Sequence, residues 1–129
     1  MDRDRFRRLV RQAMLGLPPE FSSLLDNVEV IVRREPSEAD REAGEVGPDS
    51  DLFGLYTGIP RTERASYGMT LPDRILIFQG PHERAFAPSE MAAEVRRTVR
   101  HEVAHHFGID DARLDALERG RDEAGEARR

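Results

Sequence analysis

Residues 99–111 read VRHEVAHHFGIDD, and the reading of this stretch decides the rest of the chain. It holds His101-Glu102-x-x-His105 followed by Gly108 and Asp111, the pattern HExxHxxGxxD. On a helix, positions i and i+4 lie on one face, so the imidazoles of His101 and His105 can reach a single ion. Glu102 follows the first of them and projects toward the open side of such an ion. A carboxylate there can take a proton from an activated water as general base. Glycine adopts positive φ without steric cost, so Gly108 allows a sharp turn that swings Asp111 back as a third donor. Asp110 competes for that role. The spacing favours Asp111 and leaves Asp110 as a cap or supporting carboxylate for the segment that follows. Three protein donors with one open position is the arrangement of a catalytic zinc site, whereas structural zinc is closed by four. A shuffled chain of this composition shows HExxH in roughly 1% of cases and the full pattern in roughly one in ten thousand.

Around the motif, the spacing predicts a helix over 88–108, opened by Pro88 and Glu90 and closed by Gly108. At about 100° per residue, Met91, Ala92, Val95, Val99, Val103 and Phe107 spread over an arc of about 160° expected to face the core. His101 and His105 lie beyond one edge of that arc, where core gives way to cleft. His106 falls inside it and reads as a core or supporting histidine rather than a ligand. His82, in GPHERAF (80–86), reads as a solvent-exposed loop histidine, with a fourth metal ligand as the less favoured alternative. Tyr56 and Tyr67 read as packed strand aromatics, although either has a hydroxyl able to hydrogen-bond a tetrahedral intermediate.

Further out, Phe6, Leu9, Val10, Ala13, Met14 and Leu17 recur at helical spacing, which predicts an amphipathic helix over 3–16 ended by Gly16 and Pro18-Pro19. A short helical turn is expected over 19–25. Residues 27–34 (NVEVIVRR) alternate as a half-buried strand does. Residues 52–57 (LFGLYT) and 74–79 (RILIFQ) are short apolar runs read as strands, and 65–70 (ASYGMT) as a weaker third, since Gly68 interrupts it. Residues 35–50 are acidic, with two prolines and two glycines, and read as a long solvated loop, mobile or lid-like. A last short helix is expected over 112–119 and a disordered tail over 120–129. These elements make one α+β domain over 1–119. Its N-terminal helix and small mixed twisted sheet of three to four strands surround the motif-bearing helix.

The 129 residues suffice for one core. A net charge of −5 argues against a general nucleic-acid binder without forbidding a local basic patch, and all 20 basic residues are arginine. The absence of cysteine excludes disulfides and thiolate metal sites, so any metal must be held by His, Asp or Glu. Residues 1–14 lack the apolar core of a secretory signal, and no stretch approaches the ~20 apolar residues that span a bilayer. A soluble cytoplasmic protein, monomeric or weakly oligomeric, with no nucleic-acid or membrane partner, is the expectation.

RRTVRHEVAHHFGIDDARLDAL (96–117), LFGLYTGIPRTER (52–64) and LPDRILIFQGPHER (71–84) together resemble the small bacterial zincin-like metallopeptidases. That resemblance implies a minimal zincin fold, a twisted sheet packed on the metal-bearing helix. It implies one zinc ion at His101, His105 and Asp111, with Glu102 as catalytic acid/base. The spacing is also similar to that of the metzincins, which carry a third histidine where this chain has Asp111. Metzincins also have a methionine turn after the motif, whereas all four methionines here precede it. Zincins bind an extended peptide along an edge strand; residues 66–70 are the first candidate for that edge and 52–57 the second.

The reading of function is zinc-dependent hydrolysis of a peptide or protein substrate, with Glu102 moving the proton. The alternative is a metal-binding or peptide-binding module on a zincin scaffold with little hydrolytic activity. Only 18 residues follow Asp111, little chain for the lower wall of a substrate cleft. A helical interaction protein without metal is a third reading.

Overall fold

The N-terminal helix forms because its apolar residues recur at helical spacing and its first turn is capped. In the computed structural model, which describes residues 1–22, 25, 27–58, 73–108 and 116, it is α1 (Arg3–Leu15). The Asp2 carboxylate accepts from the Arg5 amide at 2.8 Å, satisfying a donor left orphaned at the helix start. Phe6, Val10 and Ala13 are buried on one face, while Arg3, Arg5, Arg7, Arg8 and Arg11 stay exposed. A single turn, α2 (Pro19–Ser22), follows.

Three strands form one sheet: β1 (Val28–Arg33), β2 (Gly54–Thr57) and β3 (Asp73–Phe78), in the order β1-β3-β2. β1 runs parallel to β3 and β2 antiparallel to it. β3 is central and covered on both faces, which is why its ILIF is a continuous apolar run and not an alternation. Ile75 and Ile77 join the main core with Phe6, Val10, Val95 and Val99. Leu76 and Phe78 join a smaller cluster with Leu52 and Leu55 on the opposite face.

The motif-bearing helix is α5 (Met91–His106), preceded by a 3-10 turn at Pro88–Glu90 whose Glu90 carboxylate accepts from the Ala87 amide at 2.9 Å. Met91, Val95, Val99 and Val103 are buried against α1 and the sheet. Ala92, expected in that apolar arc, is exposed in the first turn of α5. Gly108 takes φ 69°, the left-handed turn expected after the helix.

Two expectations are corrected. The acidic stretch 35–50 is not a structureless loop: it contains α3 (Glu38–Ala43). Ser37 Oγ accepts from the Asp40 amide and the Asp40 carboxylate accepts from the Ser37 amide, both at 3.0 Å, a reciprocal cap. The Arg41 guanidinium then donates to the carbonyls of Gly47 (2.6 Å) and Ser50 (2.7 Å), fastening the rest of the stretch. Second, a helix not expected from the sequence, α4 (Gln79–Ala85), continues directly from β3, and it buries His82 completely. The expected strand at 65–70, the tail at 120–129 and the helix at 112–119 lie outside the described residues, apart from Ala116, which is helical. Among the described residues no helix is long and apolar enough to cross a membrane.

Candidate active site

α5 presents His101, Glu102 and His105 to a cleft of about 480 Å³. Glu94, Arg97 and Thr98, one and two turns earlier, continue the same wall. The opposite wall is Asp51, Leu52, Phe53 and Gly54, leading into β2, with Phe86 beyond the end of α4. Glu102 is buried at the floor of this cleft and His101 half-buried, whereas the His105 side chain keeps 53% of its surface exposed. Glu102 Oε1 lies 3.3 Å from Nδ1 of His105.

Gly54 sets the distance between the two walls. A Cβ there would meet Thr98 Cγ2 at 2.8 Å, Glu102 Cγ at 3.0 Å and the Leu76 carbonyl at 3.2 Å. Only a glycine lets β2 approach α5 this closely. A glycine inside a strand has no side chain to pack, and here that lack is what seats the strand against Glu102.

Behind α5, two buried polar groups fix the helix. His82 lies with Nδ1 2.7 Å from the Phe78 carbonyl and Nε2 2.9 Å from Thr98 Oγ1. A carbonyl only accepts, so Nδ1 carries the proton and Nε2 of the neutral ring accepts from the Thr98 hydroxyl. Burial pushes the His82 pKa down, against the opposing influence of the Phe78 carbonyl and the Glu94 carboxylate. His82 is thus neither an exposed loop residue nor a metal ligand; it braces α5 one turn before Glu102.

His106 is a buried supporting histidine, in keeping with its place in the apolar arc. Its Nδ1–H donates to Asp73 Oδ2 at 2.8 Å, and the same oxygen accepts from the Tyr56 hydroxyl at 2.7 Å. Tyr56 is a packed strand aromatic whose hydroxyl is engaged by Asp73. Thr98, Asp73 and Arg97 were not singled out by the sequence. Thr98 and Arg97 stand one turn before Glu102 and His101, so helical spacing alone would have found them.

The far wall is held by Arg84 of α4. Its guanidinium grips the Glu35 carboxylate at 2.8 and 2.9 Å and that of Asp51 at 2.9 and 3.3 Å, joining the two ends of the acidic stretch. Hydrogen bonds from Arg84 hold both carboxyls below their usual range, and the two carboxylates raise the Arg84 pKa.

Two imidazoles one helical turn apart, opening into one cleft beside a buried carboxylate, match two of the three donors that a catalytic zinc ion takes. Among the described residues no group of three His, Asp or Glu side chains converges for a metal. Asp111 and its competitor Asp110, like Tyr67, lie outside the described residues.

Comparison with known proteins agrees with this architecture. A conserved hypothetical protein from Thermo thermophilus has a similar solved structure, with a TM-score of 0.57 and 22% identity over 83% of this chain and 94% of that one. At that identity the likeness speaks for the fold. No curated protein matches this chain. Residues 25–121, about three quarters of the chain, match the family model described as zincin-like metallopeptidase, and the chain belongs to that family.

Proposed function

We propose that this chain hydrolyses peptide bonds, with one zinc ion held by His101, His105 and Asp111 and with Glu102 as general base. The observation that carries this reading is Glu102 itself, a carboxylate buried at the floor of an open cleft between two imidazoles of the same helix face. Burying a carboxylate away from water is costly, and active sites are where such groups persist. When bound, a zinc ion supplies Lewis acidity, making water acidic enough to ionise near neutral pH and polarising a carbonyl. Two histidines with a carboxylate favour zinc over harder ions.

Glu102 would take the proton from the attacking water and return it to the leaving amine. The segment 52–54 runs along the cleft opposite Glu102, which supports it as the wall that aligns a substrate main chain. The apolar faces of Leu52, Phe53 and Phe86 would take a substrate side chain.

The test is hydrolysis of an unfolded protein such as casein by zinc-loaded protein, with and without chelator. Hydrolysis abolished by chelator supports the reading. Stoichiometric zinc without cleavage makes the chain a metal- or peptide-binding module on the same scaffold, and the absence of zinc binding overturns the hydrolytic reading.

A further inference from the structure

At the edge of the sheet away from the cleft, β1 has no strand neighbour except β3 among the described residues. Its pairing with β3 is continuous over all six residues, without a bulge, and it contains no proline. Bulges and prolines are two of the devices by which proteins blunt an open strand edge. Between this edge and α1 runs a groove of about 420 Å³. Its floor is apolar, made by Val10, Met14, Val30 and Ile31, and Arg7 and Arg11 line it.

The charge here runs against that of the molecule. The whole chain carries −5, yet α1 carries five arginines and one acidic residue. Arg7 and Arg11 are exposed and form no ion pair among the described residues. A second copy docked edge to edge by a two-fold axis would bring its own Arg7 and Arg11 against these, so like charges disfavour it.

We propose that this groove is an exosite that takes an extended acidic segment of another protein as an added strand on β1. Main-chain groups of the incoming strand would pair with the open edge of β1. Alternate apolar side chains would lie on Val10, Met14 and Val30, and carboxylates between them would reach Arg7 and Arg11. A nucleic acid shares the charge but not the rest: the groove offers apolar floor and strand edge, and among the described residues no aromatic side chain lines it on which a base could stack.

Fluorescence anisotropy with a labelled peptide alternating valine and glutamate tests this. The expected result is salt-sensitive binding that weakens about tenfold in the double variant Arg7→Glu with Arg11→Glu, with circular dichroism unchanged. Glu102→Gln is expected to bind the peptide as the wild type does, since the groove lies at the β1 edge of the sheet and the cleft at the opposite, β2 edge. A peptide N-methylated at alternate residues, which cannot pair with a strand edge, is expected not to bind. Equal binding of the N-methylated peptide, equal binding of a valine–lysine peptide, tighter binding of a labelled oligonucleotide, or no binding of the valine–glutamate peptide would each overturn the proposal.

Discussion

His106, the last residue of α5, donates its Nδ1 proton to Asp73, the first residue of β3, at 2.8 Å, with both side chains almost wholly buried. Neighbouring histidines on one helix thus have opposite tasks. His105 faces the cleft, and His106 locks the end of the helix to the sheet. Tyr56 of β2 completes the group by donating to the same carboxylate, so one side chain ties the three elements that frame the site.

Asp73→Ala removes the carboxylate that accepts from both the buried His106 imidazole and the half-buried Tyr56 hydroxyl. The expected cost is about 2–4 kcal/mol, against about 1 kcal/mol for Tyr56→Phe, which removes one donor and leaves the acceptor engaged by His106. Urea denaturation followed by circular dichroism measures both, and equal effects would contradict the central place given to Asp73.

Gly54→Val puts a branched side chain where even a Cβ meets Thr98, Glu102 and a backbone carbonyl within 3.2 Å. The strand must move away from α5, at an expected cost of about 1–3 kcal/mol. Activity is expected to fall further than stability, because Glu102 is among the residues displaced. A variant of full activity at a temperature where it remains folded would argue against the close approach as a determinant of the site.

Arg84→Ala frees both ends of the acidic stretch and the wall that carries Leu52 and Phe53. All three partners are substantially exposed, so the expected loss at pH 7 is only about 0.5–1 kcal/mol. Glu35 and Asp51 have lowered pKa values in the folded chain. Their contribution is therefore complete above the ordinary carboxyl range and is lost as pH falls through the lowered values. The gap between wild type and Arg84→Ala should be full at pH 7 and shrink below about pH 4; denaturation midpoints measured at several pH values check this.

His82 provides a second pH dependence of opposite chemistry. Burial lowers its pKa, so the unfolded chain takes up a proton first as pH falls below about 6.5. Stability supplied by the neutral ring is present above that value and declines as pH drops. Once protonated, the ring must donate from both nitrogens, and the Thr98 hydroxyl must turn to the Glu94 carbonyl, 3.1 Å away. Wild type is expected to lose stability more steeply than His82→Met as pH falls below about 6.5, and parallel slopes would contradict the assignment.

α1, α5 and β1 were legible from their periodicity, His101 and His105 from the helical repeat, and β2 and β3 as short apolar runs, ILIF being a strand covered on both faces. α4 was not, because Gly80 and Pro81 look like turn signals. Proline is tolerated in the first turn of a helix, and burial of His82 makes the helix worth forming. α3 was hidden by its own acidity, although Ser37 and Asp40 stand at capping-box spacing. The pairing of His106 with Asp73 joins residues 33 apart, and no local pattern announces such a contact.

Glu102→Gln tests the proposed chemistry most directly, because the change keeps the shape of the side chain and removes its ability to accept a proton. Zinc content and peptide hydrolysis should be measured on the same preparation of wild type and variant. The predicted result is unchanged zinc stoichiometry with hydrolysis reduced by about 10²–10⁴-fold. Undiminished hydrolysis by the zinc-loaded variant would contradict the role given to Glu102.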